Sequence, residues 1–301
     1  ARAGRPRRRA ADRRGASRRR AMAGAAGEAR AHLEQAEKAL KTSFLSLKFS
    51  PDVLTASLEY SQAATKFRQA NMLAESAAAW KRAGESKEEL GDLFGAGRAY
   101  ESAGALGQGA GAPEGLWEKA VRCFRLAGKG EVAAGLLLKL AAQREKEGDM
   151  PGAKAAFEDA IEVFAAEEKD YNLADVYKQY TGFLLRVNAF DDACKAIDGH
   201  VAVLARQKQT SFVHKEVLSK VAIMLHLGDN VRAEEALNRG SEFEGWWSSK
   251  ECQVGSDMVA AFQARDPAEV ERLAREQVWS FLQVEVARLA RQLRLAAPAA
   301  G

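Results

Sequence analysis

Trp80-Lys-Arg-Ala83-Gly84 and Tyr100-Glu-Ser-Ala103-Gly104 are one phrase written twice, twenty residues apart. Tyr60 lies one interval before Trp80, and Phe157, Tyr177, Ile197, Val217 and Leu237 keep the same spacing further on. Phe124-Arg-Leu-Ala127-Gly128 repeats the phrase off the beat, after a Gly-rich insert, Gly107 to Gly115, has lengthened one interval. About sixteen helical residues cover roughly 24 Å at 1.5 Å each, and four more make a turn. Two intervals make about forty residues, the length of one antiparallel helix pair in an α-solenoid. The bulky residue is the knob, and the small residues one turn on let the next helix approach closely. The stretch therefore predicts an all-α fold, a TPR-like α-solenoid of antiparallel helix pairs. Such a curved rod favours holding partners over chemistry in a closed pocket.

Outward from this stretch, the pattern predicts helices over 28–42, 53–70, 73–90, 92–106, 116–128, 131–147, 150–168, 171–188, 190–208, 211–227 and 230–239. Gly91-Asp92, Gly148-Asp149 and Gly228-Asp229 punctuate them, with Gly ending one helix and Asp capping the next. After Asn238 the beat changes. A loop through Trp246-Trp247, read as packing rather than contact, leads to helices near 250–264, 267–276 and 277–295, the C-terminal helical bundle cap that a solenoid needs. Asp266-Pro267 is a good helix start. The expected organisation is a disordered Arg-rich leader over 1–21, the solenoid over 22–239 and the cap over 240–301.

The chain has 301 residues, 47% hydrophobic and 29% charged, which is ordinary globular composition. Its net charge of +4 misleads, because residues 1–21 hold ten Arg against Asp12, or +9; the remainder is −5. Three readings of that leader stand open. It is sequence read through upstream of Met22, an organelle transit peptide, or a basic arm touching acidic lipid or nucleic acid. No aromatic residue is interleaved with the arginines, which argues against single-stranded nucleic acid as a partner. Cys123, Cys194 and Cys252 are odd in number and far apart, as expected of reduced thiols in a cytosolic protein. No apolar run approaches the roughly twenty residues of a membrane span.

The residues of an enzyme are missing. His32, His200, His214 and His226 stand alone, without metal-ligand spacing. Gly107-Gln-Gly109-Ala-Gly111 follows a helix rather than a strand, so it is not a dinucleotide loop. No cofactor is implied. The run Phe44-Leu45-Ser46-Leu47-Lys48-Phe49 carries more information. One reading is a loop folded back over the end of the first helix pair. The other is an exposed tip that dips into a bilayer or partner, flanked by Lys41 and Lys48 to suit anionic headgroups.

Several segments carry a family resemblance in their order: Ala36-Glu-Lys-Ala-Leu-Lys-Thr42-Ser-Phe44-Leu45, Ala96-Gly-Arg98-Ala99-Tyr100-Glu-Ser-Ala103-Gly104, Ala233-Glu-Glu235, and Phe243 through Ser249-Lys-Glu251-Cys252. Over about residues 28–290 the chain resembles the soluble attachment proteins for the N-ethylmaleimide-sensitive fusion ATPase (NSF), the SNAPs, and the gamma type most. The resemblance implies an adaptor of vesicle traffic, cytoplasmic and peripheral to the cytosolic face of membranes. Such an adaptor grips a syntaxin-type SNARE bundle and recruits the AAA+ ATPase that pulls the bundle apart. It implies that Phe44, Leu45, Leu47 and Phe49 touch membrane, and that basic residues of the rod face the acidic bundle. Lys129 fits one basic place, while its neighbour in the alpha type falls on Gly135; Arg122, Arg125, Lys139 and Lys178 are further candidates. For the ATPase it implies acidic residues near the C-terminus. Asp229 keeps one position and Glu269 and Glu271 lie near others, but Ala260, Gln263 and Ala264 replace carboxylates and the acidic tail is absent. The other reading that the residues leave open is a general TPR-like scaffold for a peptide or helix. A helical enzyme has no residues to carry it.

Overall fold

The structure, a computed structural model, describes residues 5–42, 50–107 and 115–295. Among them the chain is all-α, with fourteen α-helices and no strand. They are α1 (Arg5–Leu40), α2 (Val53–Gln69), α3 (Leu73–Glu89), α4 (Leu93–Gly107), α5 (Leu116–Leu126), α6 (Gly130–Glu147), α7 (Met150–Ala166), α8 (Asp170–Arg186), α9 (Phe190–Arg206), α10 (Thr210–His226), α11 (Asn230–Arg239), α12 (Lys250–Gln263), α13 (Pro267–Leu273) and α14 (Val284–Arg291).

The twenty-residue beat has a local cause. Helices α2, α3 and α7 to α10 are each 17 residues long, and three residues close each one. In that closure the residue after the C-cap turns left-handed, as at Asn71 (φ 60°), Gly91 (φ 75°), Glu168 (φ 55°), Asn188 (φ 59°), Lys208 (φ 57°) and Gly228 (φ 74°). The next N–H then returns five residues to a helix carbonyl: Met72 to Phe67 at 2.9 Å, Asp92 to Lys87 at 2.9 Å, Asp229 to Met224 at 3.0 Å. That residue also starts the following helix. Asp92, Asp149 and Asp229 accept from the backbone N–H of Gly95, Gly152 and Arg232 at 2.9–3.0 Å. Helix end, turn and helix start are compressed into three residues, which makes the pairs antiparallel and the repeat TPR-like.

The chain divides into two compact units, residues 1–140 and 141–301, with the division falling inside α6. In the first unit each of α1 to α4 packs on the next over a core of small residues around aromatic ones. Ala36, Ala56, Tyr60, Ala83 and Ala99 form one buried cluster and Ala29, Ala63, Ala64, Phe67 and Ala79 another. The small residues serve the close approach predicted for them. A Cβ on Gly84 would lie 2.8 Å from the Tyr100 ring, and one on Gly97 2.6 Å from the Phe124 ring. Gly128 differs, since it is the left-handed residue of a closure (φ 65°) and packs nothing.

The second unit has a bulkier core, with Phe183, Leu184, Ile197, Leu218, Ile223, Trp246 and Trp279 all within 2% of complete burial. Helices α7 to α11 follow the sequential order, and then the order breaks: α12 packs on both α10 and α11, and α14 on α8 and α10. This is the helical cap. Trp246 is fully buried in it, while Trp247 stands 67% exposed.

Two expectations change at the ends of the chain. The first helix begins at Arg5, not near Glu28, so the backbone of the Arg-rich leader is helical where no order is expected. Arg and Ala are strong helix formers, and Pro6 stands in the first turn, where proline is tolerated. The last expected helix, 277–295, is broken into a 3₁₀ turn, Gln277–Phe281, and α14. Two tertiary bonds explain the break. The buried Trp279 donates its indole N–H to the Leu273 carbonyl (2.8 Å), and Gln283 donates its side-chain amide to the Lys178 carbonyl (2.9 Å). Phe44, Leu45, Leu47 and Phe49 lie outside the described residues, as do residues 108–114 of the Gly-rich insert.

Candidate interaction surfaces

In such a repeat neighbouring helices touch, and helices two apart come level again about forty residues later. Charged side chains at that separation meet. In the first unit, Arg122 on α5 donates through Nη2 to Glu88 Oε1 on α3 at 2.6 Å, and Lys139 on α6 donates through Nζ to Glu101 Oε1 on α4 at 2.9 Å. Each carboxylate is used twice. Glu88 Oε2 accepts from the Tyr100 hydroxyl (2.8 Å) and Glu101 Oε2 from Arg98 (3.2 Å). Burial and the bond to Glu88 push the Tyr100 hydroxyl well above the usual phenol range. Lys119 Nζ lies 5.6 Å from the centre of the same ring.

The second unit repeats the device. Arg186 reaches Glu145 at 2.8 and 3.1 Å and Glu285 at 2.8 Å; Lys154 reaches Asp192 at 2.5 Å; Arg232 reaches Asp191 at 2.8 Å. The Lys154 and Lys195 ammonium groups hold the Asp192 carboxyl below its usual range.

Four of the five basic candidates lie in the first unit and one in the second. Arg122 and Arg125 stand one turn apart on the exposed side of α5, and Lys129 is exposed in the closure after it. Lys139 is exposed on α6 but tied to α4, and Lys178 is exposed on α8 in the second unit. The three acidic candidates, all in the second unit, are compensated from within their own turns. Asp229 caps α11 and accepts from Arg232 Nε at 2.6 Å; Glu269 accepts from Arg272 Nη2 at 2.7 Å; Glu271 accepts from Arg275 Nη2 at 2.5 Å. The backbone and guanidinium of Arg232 hold Asp229 below the usual carboxylate range, and Arg272 does the same to Glu269.

The partner carboxylates, Glu88 and Glu101, were not among the residues singled out from sequence. The signal for them is an opposite charge about two beats away, which also marks Glu145 for Arg186 and Asp191 for Arg232. The histidines are absorbed by packing. His32 pairs with Glu59 (2.7 Å), the buried His200 faces Glu216 (3.4 Å), His214 meets the Glu244 carbonyl (3.1 Å), and His226 lies against the Phe190 ring.

Residues 27–277 match the family described as "Soluble NSF attachment protein, SNAP". The chain is 23% identical to the gamma-soluble NSF attachment protein of Dictyostelium discoideum over 89% of this chain and 83% of that protein. It is 25% identical to the protein of the same name from Arabidopsis thaliana, over 85% and 89%. Among solved structures it is similar to BtubC (BKLC) from P. vanneervenii, with a TM-score of 0.34 at 16% identity, covering 73% of this chain and 90% of that one. A score of that size adds nothing to what the helices themselves show.

Proposed function

The chain belongs to the soluble NSF attachment protein family, matched over residues 27–277, and from that membership we propose that it is an adaptor that binds SNARE complexes and recruits the NSF-type ATPase for their disassembly. Its work is mechanical coupling, and it hydrolyses nothing itself. The observation that carries the grip is the cross-helix pairing of Arg122 with Glu88 and Lys139 with Glu101, which holds exposed cations extended on the surface of a stacked repeat. An acidic bundle laid on that surface meets cations already positioned and competes for them with Glu88 and Glu101. Exposed pairs contribute about 0–1 kcal/mol each. The grip is then distributed over Arg122, Arg125, Lys129, Lys139 and Lys178 and weakens with salt.

In the second unit, Asp229, Glu269 and Glu271 reach the ATPase only by exchanging their own arginines for its basic groups. That makes recruitment weaker than an uncompensated acidic surface would give. The resemblance adds a membrane contact at Phe44, Leu45, Leu47 and Phe49, which keeps the adaptor peripheral to the bilayer.

Reconstituted disassembly tests the reading. A fluorophore-labelled SNARE bundle, the ATPase and ATP are followed with and without the full chain. The expected result is faster loss of energy transfer when the chain is present. Binding to the bundle without faster disassembly would instead leave a scaffold that does not engage the motor.

A further inference from the structure

The last helix of the second unit has two stripes. Val286 and Ala290, at most 1% exposed, are its inward side, and Leu293, just past its end, is buried with them. Val284, Ala287, Arg288 and Arg291 follow at helical spacing on the other side and, with Leu282, line an open depression of about 470 Å³. Val284 is 68% exposed and Phe281, next to Leu282, 59%. Arg288 and Arg291 are exposed, and among the described residues neither guanidinium meets a carboxylate. Arg272 and Arg275, a short way back along the chain, are each paired.

Singly, an exposed Val or Arg needs no explanation. Together they make a concave apolar floor with two unspent guanidinium groups one helical turn apart. Arginine binds carboxylates through paired, directional hydrogen bonds, and an amphipathic helix is the usual occupant of an apolar groove. We propose that this depression docks an acidic amphipathic helix of a partner protein. Its apolar side chains rest on Leu282, Val284 and Ala287, and its carboxylates, one turn further along, pair with Arg288 and Arg291. A concave site suits a helix better than the flat face of a bilayer. The proposal does not depend on SNARE or ATPase binding.

The test is selection of a random helical-peptide library, displayed on phage, against the immobilised full chain, followed by titration of the enriched peptides. Expected are peptides that place Glu or Asp three or four residues from Leu, Ile, Phe or Met. Their affinity should fall at least tenfold for Arg288→Glu/Arg291→Glu, and a Glu-to-Lys version of the peptide should recover binding to that variant. Val284→Asp, with circular dichroism confirming the fold, should weaken binding independently. Enriched peptides without acidic residues, or equal affinity for the reversed variant, would overturn the proposal. So would sedimentation showing that the two arginines hold a dimer of this chain, or flotation showing that they bind anionic vesicles while no peptide competes.

Discussion

The charged surfaces of the first unit and of α13 are built differently. In the first unit, Arg122 and Lys139 are bonded to carboxylates 34 and 38 residues away, on helices two back in the stack. In the second unit, Glu269 and Glu271 of α13 are bonded to arginines three and four residues away, Arg272 on the same helix and Arg275 in the turn that ends it. A cross-helix pair reports the register of the repeat, because it forms only if both helices are rotated correctly. A pair within one turn supports its own helix and reports nothing about its neighbours. The first kind couples surface charge to tertiary structure; the second neutralises a surface.

The comparison breaks most visibly at Glu88. Glu88→Ala removes the acceptor of the Tyr100 hydroxyl and the partner of Arg122 together. Leaving a buried hydroxyl unpaired costs about 1–3 kcal/mol, so urea denaturation should show a loss of that size. An unchanged midpoint would mean that the pair is decorative. The cations alone should matter less to stability. Arg122→Ala and Lys139→Ala should each cost about 0.2–1 kcal/mol at low salt. Their double variant should bind the SNARE bundle several-fold more weakly at 50 mM salt, and the difference should shrink at 500 mM.

A smaller effect is expected from acid. The folded-state value of Asp192 is depressed, so its contribution is present above the unfolded carboxyl value, about 3.9, and is lost as pH falls through the lower folded value. Asp192→Asn should therefore flatten the fall in stability below about pH 4 and leave the slope near neutrality alone. Partial exposure of the Lys154 pair keeps the effect modest. The smallest effect belongs to α13. Glu269→Gln with Glu271→Gln should leave the denaturation midpoint within error. If recruitment of the ATPase falls nonetheless, the local pairs open for a partner; if it does not, these two residues are not the contact.

The helices were legible because their ends are marked. A bulky residue every twenty positions, and Gly-Asp or an equivalent at each closure, place α2 to α11 within a few residues. The ends of the chain were less legible for opposite reasons. Over residues 5–21 intrinsic propensity makes a helix without any apolar period to betray it. At 277–295 the period was present, but burial of Trp279 and the bond from Gln283 to Lys178 break the helix from outside. The site was readable as residue types and not as partners. Arg272 and Arg275 stand beside their acids in the chain, whereas Glu88 and Glu101 become partners only once the stack sets the rotation of each helix.

One consequence follows from the three-residue closures. They contain no slack, since the residue that finishes one helix's hydrogen bonding is followed at once by the first residue of the next. Adding or deleting a single residue there would rotate everything downstream by about 100° and unpair side chains two helices away. Change in length is thus quantised: whole twenty-residue modules can be gained or lost, while small insertions belong where the count is already broken, as between Gly107 and Gly115. Relatives that differ in length should show it in those steps.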